Sequence, residues 1–459
     1  MLSTGQRTPG SKISDRARSG LFAAFFSLLE HTGICYAILS NYFSYPDSIQ
    51  SDVDFVVPER DRRSIPRLVQ AMCFEADAHL VQISEYRNTS ACSCFVAMVK
   101  DSLPVHLRFD VCSDDHRNGE LTFKWQFMLE DRRKYLDRFF VPAPEKSLVH
   151  YLLKRVGKRS LGPAQLRALN QWYRSAPKEA EELLCRYWPS DHEDILEYIA
   201  NEAIPNSTSL NQWAKKVHLG NPRPTFVMRA SQQIKETRRK IRRTTMPMGY
   251  LISFMGPDGC GKSTAIAATR TALVPAFAGA SEFHRLPRTI HKGRSGGDGS
   301  RPHEKTPRGP LASIAKVLFW FADLTLGYWL TLRPKMVRCT LIIFDRYFHD
   351  VLVDRLRYRY GGPSSWVKLL SRISPQPDLW ILLDAPAEVL WQRKPELSLE
   401  EGIRQRAAYR ELISPNRNAI EIDATQPVNM VVACICAEVF RRLEYRTNVR
   451  YGLGQRDVS

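Results

Sequence analysis

The segment YLISFMGPDGCGKST, residues 250–264, decides how the C-terminal half of the chain folds. Its first six residues are apolar except for one serine, and the remainder matches the pattern G-x-x-x-x-G-K-[ST]. The residues that follow, AIAATRTAL, favour a helix. Glycines permit left-handed backbone angles that turn successive N–H groups inward, towards the oxygens of a phosphate group. The order strand, loop, helix therefore predicts a phosphate-binding loop at residues 256–263, which we call the P-loop.

The P-loop residues have predicted roles in holding ATP and Mg²⁺. The Lys262 ammonium is expected to neutralise the β- and γ-phosphates, and the Ser263 hydroxyl to bind Mg²⁺. The helix that starts there adds the positive end of its dipole. The candidate ATP-binding residues are Gly256, Pro257, Asp258, Gly259, Cys260, Gly261, Lys262, Ser263 and Thr264.

A carboxylate that binds Mg²⁺ is expected at the end of a neighbouring strand. The apolar run 340–344 is a strong strand candidate, and Asp345 follows it directly. Arg346 would then reach a transferring phosphoryl group or an acceptor anion. Asp384 ends the run LWILLD in the same way, but Asp345 is the better candidate ligand.

Predicted strands and helices alternate through the rest of this half. The alternation indicates a parallel, doubly wound α/β sheet. We therefore predict one domain over residues 248–447, followed by a short tail at 448–459. The strands are expected near 280–284, 340–344, 379–384 and 419–422, and the helices over 311–332, from 386, over 399–413 and over 427–444.

Taken together, these motifs make the C-terminal half similar to the thymidylate kinase family. The resemblance is carried by GPDGCGKST (256–264), Arg285-x-Pro287, Asp345-Arg346-Tyr347, PDLWILLDAPAEVLWQRK (377–394) and EEGIRQRAAYREL (400–412). It implies an ATP- and Mg²⁺-dependent kinase in which Lys262, Asp345, Arg346 and Arg393 are catalytic. It also implies a lid whose arginines close over the phosphates and exclude water. The implied substrate contacts are Arg285, Tyr347, Arg404 and Arg406.

Two departures from the family lie where the acceptor is expected to bind. After Asp-Arg-Tyr, thymidylate kinases continue with a serine and an alanine-tyrosine-glutamine stretch, whereas this chain reads FHDVLVDRLRYRYGGP (348–363). The chain also carries the basic insertion HKGRSGGDGSRPHEKTPRGP (291–310). Arg355, Arg357 and Arg359 either bind a different anion or form a solvated helix face. The expected acceptor is therefore a nucleotide or another small anionic or sugar molecule.

Two aspartates in the N-terminal half suggest a second site. Asp52 and Asp54 alternate along a predicted strand and so share one face. Asp110 lies on a later strand, in HLRFDV. Three carboxylates on adjacent strands could hold two Mg²⁺ ions for nucleotidyl transfer.

This arrangement resembles the nucleotidyltransferase fold, with the helical region as its usual companion. That family has Gly-Ser before the D-x-D pattern, where this chain has Ser40-Asn41 and then 42–50. Three alternatives stay open: an active nucleotidyltransferase, a degenerate binding or regulatory domain, and a coincidental match. The pairing of the two domain types resembles proteins of bacterial surface-polysaccharide gene clusters, which implies a sugar or glycan-linked acceptor.

The remaining segments are classified by composition. The net charge of +18 fits an anionic substrate, a nucleic acid or a membrane surface equally well. The basic stretch 235–243 favours a solvated linker helix over a nucleic-acid contact, and no nucleic-acid-reading module is recognisable. A nucleic-acid-binding NTPase is therefore the weaker alternative. The predicted divisions are a disordered basic tail (1–20), an α+β nucleotidyltransferase-like domain (21–142), a small helical domain (143–218) and a basic linker (219–247).

The expected location is the cytoplasm. Residues 1–20 have no apolar signal core, and the apolar stretch 311–332 is interrupted by Lys316 and Asp323. It is therefore predicted to be a partly buried amphipathic helix rather than a membrane span. The ten cysteines show no metal or disulfide spacing, as in reduced cytosolic proteins. A homodimer is compatible with these features.

Overall fold

A computed structural model describes residues 9–39, 42–49, 52–86, 91–117, 120–218, 226–290, 306–395 and 398–455. The chain forms two compact units. The first unit consists of residues 1–100, 105–238 and 443–459, and the second of 101–104 and 239–442. Ser40, Asn41 and most of the insertion 291–310 lie outside the described residues.

A five-stranded mixed sheet forms the centre of the first unit. Its strands are β1 (Ala37–Ile38), β2 (Asp52–Val56), β3 (His79–Glu85), β4 (Ala91–Lys100) and β5 (Leu103–Cys112), in the order β1-β2-β5-β4-β3. Strands β2 and β5 are parallel, whereas β1 with β2 and β3 with β4 are antiparallel. Two short hairpins follow, formed by Asp115–Arg117 with Glu120–Phe123 and by Arg133–Tyr135 with Phe139–Val141.

The helix Pro9–His31 covers this sheet with an apolar stripe. Its Phe25 ring lies 4.5 Å from the Phe109 ring on β5 and 5.6 Å from the Phe55 ring on β2, centroid to centroid. Because the helix begins at Pro9, residues 9–20 are helical, whereas their polar composition predicts a disordered tail. The apolar face that starts at Leu21 packs the helix onto the sheet, and tertiary packing of this kind extends helices beyond their local propensity.

The helical region shares one apolar core with the sheet instead of having a core of its own. The buried Trp172 ring, for example, donates its Nε1–H to the Tyr42 hydroxyl at 2.8 Å. The last turns of the final helix also belong to this unit, where Tyr451 donates to the Ile83 carbonyl at 2.8 Å. The helices after Pro9–His31 are Glu59–Arg62, Ile65–Glu75, Trp125–Leu129, Pro144–Gly157, Pro163–Ser175, Pro177–Tyr187, His192–Ala200, Ser207–Lys216 and Phe226–Thr245.

The second unit has the parallel sheet that the alternating pattern predicts. Its strands are β6 (Tyr250–Met255), β7 (Gly279–His284), β8 (Thr340–Asp345), β9 (Leu379–Asp384) and β10 (Ala419–Asp423), in the order β7-β8-β6-β9-β10. Every neighbouring pair is parallel. The central strands β6 and β9 are buried at every residue, as expected for strands covered by helices on both faces. The carboxyl ends of all five strands therefore meet at one edge.

Helices on the two faces complete this unit. They are Lys262–Leu273, Pro310–Gly327, Arg333–Val337, Asp350–Val353, Ser364–Ile373, Ala387–Arg393, Leu399–Ile413 and the first part of Val428–Tyr451, with a 3₁₀ turn at Val274–Ala276 and a π-helical turn at Tyr328–Leu332. Within the described ranges, only Pro310–Val337 is long and apolar enough to cross a membrane. Of its apolar 18-residue stretch, 33% is buried in the protein.

Candidate active site

Three glycines give the P-loop its shape. Gly256, Gly259 and Gly261 have φ angles of 143°, 84° and 84°, which residues with a Cβ rarely adopt. A Cβ on Gly256 would also lie 2.4 Å from the Leu383 carbonyl oxygen on β9. The close approach of β9 and the turn from β6 into the next helix therefore both require glycine at position 256.

Lys262 begins the helix that follows the loop, and its side chain folds back over the loop. The residue is 8% exposed, and its ammonium donates to the carbonyls of Gly256 at 2.8 Å and Pro257 at 2.7 Å. A positive charge is thus held inside the loop, where phosphate oxygens would otherwise be its acceptors. Ser263 and Thr264 are exposed at the first turn of this helix.

Asp345 ends β8 next to the P-loop strand, in register with Phe254. Its Oδ2 lies 3.2 Å from His284 Nδ1, while its Oδ1 is buried and has no hydrogen-bond partner among the described residues. Burial would raise the pKa of Asp345, but the hydrogen bond and charge of His284, with Lys262 and Arg346 nearby, lower it below its usual value. An ionised oxygen without a donor is what a Mg²⁺ ligand requires, so Asp345 fits this role.

Arg346 is 3% exposed and fixed on several sides. Its φ of 68° is unusual for a non-glycine residue, and its N–H donates to the Phe254 carbonyl at 2.9 Å. The guanidinium contacts the P-loop residue Asp258, donates to Asp350 at 2.9 Å, and donates to the Tyr409 hydroxyl at 3.1 Å. Arg346 is therefore pre-positioned beside the P-loop.

Asp258, in the P-loop itself, collects three cations. Besides Arg346, it accepts a hydrogen bond from Arg357 at 2.6 Å and lies 3.9 Å from the Lys262 ammonium. Burial would raise the pKa of Asp258, but Arg346, Lys262 and Arg357 hold it well below its usual range. Sequence reasoning assigned Asp258 only to the ATP loop and did not connect it with Arg357.

A buried aspartate supports Arg346 from behind. Asp350 is fully buried and accepts hydrogen bonds from Arg346, Tyr358 and Tyr409. Burial, together with the charge of Asp350, raises the pKa of both tyrosines well above the usual value. Sequence reasoning missed this set, although Asp350 follows Arg346 by only four residues in the sequence.

The predicted substrate contacts on the acceptor side have different surroundings. Arg285 has a φ of 64°, donates its N–H to the Asp345 carbonyl at 3.1 Å, and lies over the Trp320 ring at 4.2 Å. Tyr347 is fully buried and donates its hydroxyl to the Pro375 carbonyl at 2.7 Å. The structure therefore places Arg285 beside Asp345 and Tyr347 in the apolar core.

The three predicted lid arginines are held by neighbouring groups. Arg393 donates to the Ala424 carbonyl at 3.0 Å, and Arg404 pairs with Glu401 and with the Val353 carbonyl. Arg406 binds both carboxylate oxygens of Asp384, at 2.9 and 2.7 Å. Across the described ranges, none of the three donates to a P-loop residue. Asp384 thus anchors the helix that contains Arg406, whereas Asp345 keeps a free oxygen.

The N-terminal carboxylates come together in the first unit. On the parallel strands β2 and β5, Asp54 lies opposite Asp110, and the ligand atoms of Asp52, Asp54 and Asp110 lie within 4.8 Å of one another. Arg108 pairs with Asp52 at 2.8 Å and with Asp110 at 3.0 Å, and Lys154 pairs with Asp54 at 2.5 Å. Burial raises the pKa of Asp110 above its usual value.

A cavity of about 490 Å³ opens beside these carboxylates. Asp54 and Asp110 form one wall, and residues of the helical region form another. The sheet and the helical region therefore build one concave site together. The basic residues in its lining are His150, Lys154, Lys158 and Arg159.

Comparison with known proteins finds thymidylate kinases that are similar to part of this chain. The chain is 24% identical over 216 residues to the thymidylate kinase of Malacoplasma penetrans, covering 42% of this chain and 97% of that protein. It is 31% identical over 125 residues to a probable thymidylate kinase of Saccharolobus solfataricus, covering 26% of this chain and 64% of that protein.

A probable thymidylate kinase of Methanothermobacter thermautotrophicus is 29% identical over 195 residues, which cover 39% of this chain and 89% of that protein. No family model matches the chain. Over part of its length, the chain is thus similar to thymidylate kinases, and this similarity supports a kinase of the nucleotide kinase-like phosphotransferase class.

Proposed function

We propose that the second unit is an ATP- and Mg²⁺-dependent kinase that phosphorylates a nucleotide or another small anionic or sugar acceptor. The observation that carries the proposal is the pairing of a P-loop that encloses Lys262 with the unpartnered Oδ1 of Asp345 on the adjacent strand. A nucleotide phosphate and a metal ion would satisfy these two groups together.

The residues act by charge and position. The Lys262 ammonium exchanges two loop carbonyls for phosphate oxygens, and the first turn of its helix offers N–H groups to the same anion. Arg346 is already fixed by Asp258 and Asp350, so it stabilises developing charge without reorganising. Asp345 and Ser263 would hold Mg²⁺, which neutralises phosphate charge when bound.

The acceptor side is proposed to lie around Arg285 and Arg346. Arg393, Arg404 and Arg406 are proposed as lid residues that exclude water, and this role requires them to leave the partners that they have here. Thymidylate, a glycan-linked acceptor, a homodimer and a cytoplasmic location remain predictions. Nothing in the comparisons favours the nucleic-acid-binding NTPase.

Substitution of the metal-side carboxylate tests the proposal. In Asp345→Asn, the gain in ATP affinity that Mg²⁺ produces should be smaller by about tenfold or more, because a neutral amide is a poorer ligand for a hard cation. Asp423→Asn, at the exposed end of the edge strand β10, is the matched control and should bind like the wild type. The measurement is ATP titration calorimetry at several Mg²⁺ concentrations. Equal Mg²⁺ dependence in all three proteins would refute the metal role of Asp345.

A second candidate function is nucleotidyl transfer in the first unit, favoured by the convergence of Asp52, Asp54 and Asp110 within 4.8 Å. Three carboxylates at this spacing fit divalent cations, although Arg108 and Lys154 would have to give way. If Arg108 and Lys154 instead stay paired with the carboxylates, the cavity is a binding or regulatory site. Pyrophosphate release from nucleoside triphosphates distinguishes an active nucleotidyltransferase from a degenerate binding or regulatory domain. If the wild type releases no pyrophosphate, the degenerate domain is the alternative that is left.

A further inference from the structure

Two cations lie over aromatic rings near Asp345, and two further arginines lie close to them. The Arg285 guanidinium lies 4.2 Å from the centre of the Trp320 ring and 4.8 Å from that of Tyr358. The Lys316 ammonium lies 5.1 Å from the same Trp320 ring. We call Arg285, Arg308, Lys316 and Arg359 the basic cluster.

Backbone contacts hold the other two members in place. Arg308 donates its N–H to the Arg359 carbonyl at 3.1 Å and its guanidinium to the Tyr358 carbonyl at 3.4 Å. Arg359 donates to the Thr306 carbonyl at 3.0 Å. These contacts fix the arginines but do not neutralise them, because carbonyl oxygens carry no net charge.

Among the described residues, the basic cluster has no carboxylate of its own. Within the ranges that the structure describes, none of its four members makes an ion pair. The neighbouring Asp350 is occupied by Arg346, Tyr358 and Tyr409. Burial lowers the pKa of Lys316 to about 8, and the charges of Arg308, Arg285 and Arg359 add to the effect. Half-buried like charges without a counter-ion are unfavourable, and an anion would relieve the repulsion.

This cluster differs in charge balance from the cations at the P-loop. There, Lys262, Arg346 and Arg357 surround the carboxylate of Asp258. The basic cluster is nonetheless adjacent, since Arg285 is hydrogen bonded to the Asp345 backbone. Tyr358 links the two groups: its ring lies under Arg285, and its hydroxyl donates to Asp350, which holds Arg346.

We propose that the basic cluster is a second anion subsite, and that the acceptor carries a phosphate group there in addition to the group that is phosphorylated. The acceptor class is therefore a small molecule with two separated ends. One end carries the phosphate group that binds the basic cluster, and the other carries the group that is phosphorylated, so the product is a bisphosphate or a similar molecule with two acidic ends. The role of this subsite in binding an acceptor rests on the proposed kinase function, whereas the binding of an anion there does not.

Sulfate titration tests the subsite apart from kinase activity. All proteins carry Lys262→Ala, which removes the ammonium of the competing anion site in the P-loop. Sulfate binding, followed by calorimetry at pH 7, should weaken about tenfold when Lys316→Gln is added, because one charge of the cluster is lost. Lys368→Gln, on the exposed face of the helix Ser364–Ile373, is the control and should change nothing. Equal sulfate affinity in all three proteins would overturn the subsite.

A pH series sharpens this test, since sulfate remains a dianion throughout. Lys316 is charged below its pKa of about 8 and neutral above it, while the three arginines stay charged. Sulfate affinity should therefore fall between pH 7 and pH 9.5, and this fall should vanish in Lys316→Gln. A fall of equal size in that variant would assign the effect to another group and contradict the role of Lys316.

An acceptor comparison with the Lys262-containing protein tests the substrate class. A phosphorylated acceptor should have a KM at least tenfold below that of its unphosphorylated analogue, and Lys316→Gln should remove most of this difference while kcat is retained. If the kinase proposal fails, no acceptor is phosphorylated but sulfate still binds at Lys316. If the subsite fails, phosphoryl transfer persists and ignores Lys316→Gln.

Discussion

At the residue scale, Asp350 is the least replaceable side chain near the P-loop. It is completely buried and accepts from Arg346, Tyr358 and Tyr409. Asp350→Asn should lower the free energy of unfolding by about 3–5 kcal/mol, because it leaves the Arg346 charge buried with a weaker partner. Glu411→Gln, exposed on the helix that contains Tyr409, is the control. Urea titration followed by circular dichroism measures both, and equal midpoints would contradict a structural role for the network.

His349 is a second residue with a measurable signature. Burial lowers its pKa from 6.5 to about 4, so it is neutral in the folded protein. Because the unfolded chain binds the proton more readily, stability is fully present above pH 6.5 and is lost as the pH falls towards 4. The loss amounts to about 3 kcal/mol at most.

His349→Phe removes the titrating group while keeping an aromatic ring against Trp380, whose ring centre is 4.7 Å away. The free energy of unfolding should then depend less on pH between 7 and 4.5 than in the wild type. Urea titrations across this range check the prediction. An unchanged pH dependence would mean that another group is responsible.

At the scale of elements, the P-loop depends on glycine where strand β9 passes closest. Gly256→Ala places a Cβ 2.4 Å from the Leu383 carbonyl oxygen at a φ of 143°, so the loop must shift. ATP affinity should fall at least tenfold. Gly279→Ala, at the start of β7, meets no atom within 4 Å and should bind ATP normally. ATP titration calorimetry compares the two; normal binding by Gly256→Ala would show that the loop geometry is not needed.

Local patterns predicted the elements better than they predicted the contacts. The strand before the P-loop and Asp345 at a strand end each follow from a few consecutive residues, and the parallel sheet follows from the alternation of strands and helices along this half. The support of Arg346 by Tyr409 joins positions 63 residues apart, and no local pattern encodes it. The basic cluster likewise depends on a helix, a loop and a strand end that converge only in the folded unit. The early start of the first helix depends in the same way on packing against the sheet.

At the scale of the whole molecule, each candidate site is built by residues of a single unit. The carboxylates 52, 54 and 110 belong to the first unit, and the P-loop and Asp345 belong to the second. Asp52→Asn combined with Asp54→Asn should therefore abolish any nucleotidyl transfer and leave the kinase kcat within about twofold, since substitutions that share no partners are usually additive. Asp47→Asn, which changes an exposed carboxylate of the same unit, is the control. A large loss of kinase activity in the double variant alone would show that the sites are coupled.

Phosphoryl transfer at the P-loop is the activity proposed for the second unit. Incubation with ATP labelled in the γ-phosphate, Mg²⁺ and a panel of acceptors tests it most directly; the panel contains dTMP, other nucleoside monophosphates, sugars and sugar phosphates. The wild type and Lys368→Ala should transfer label to an acceptor, and Lys262→Ala, which lacks the ammonium inside the loop, should transfer it at least a hundredfold more slowly. Equal transfer by wild type and Lys262→Ala, or no ATP binding by the wild type, would contradict it.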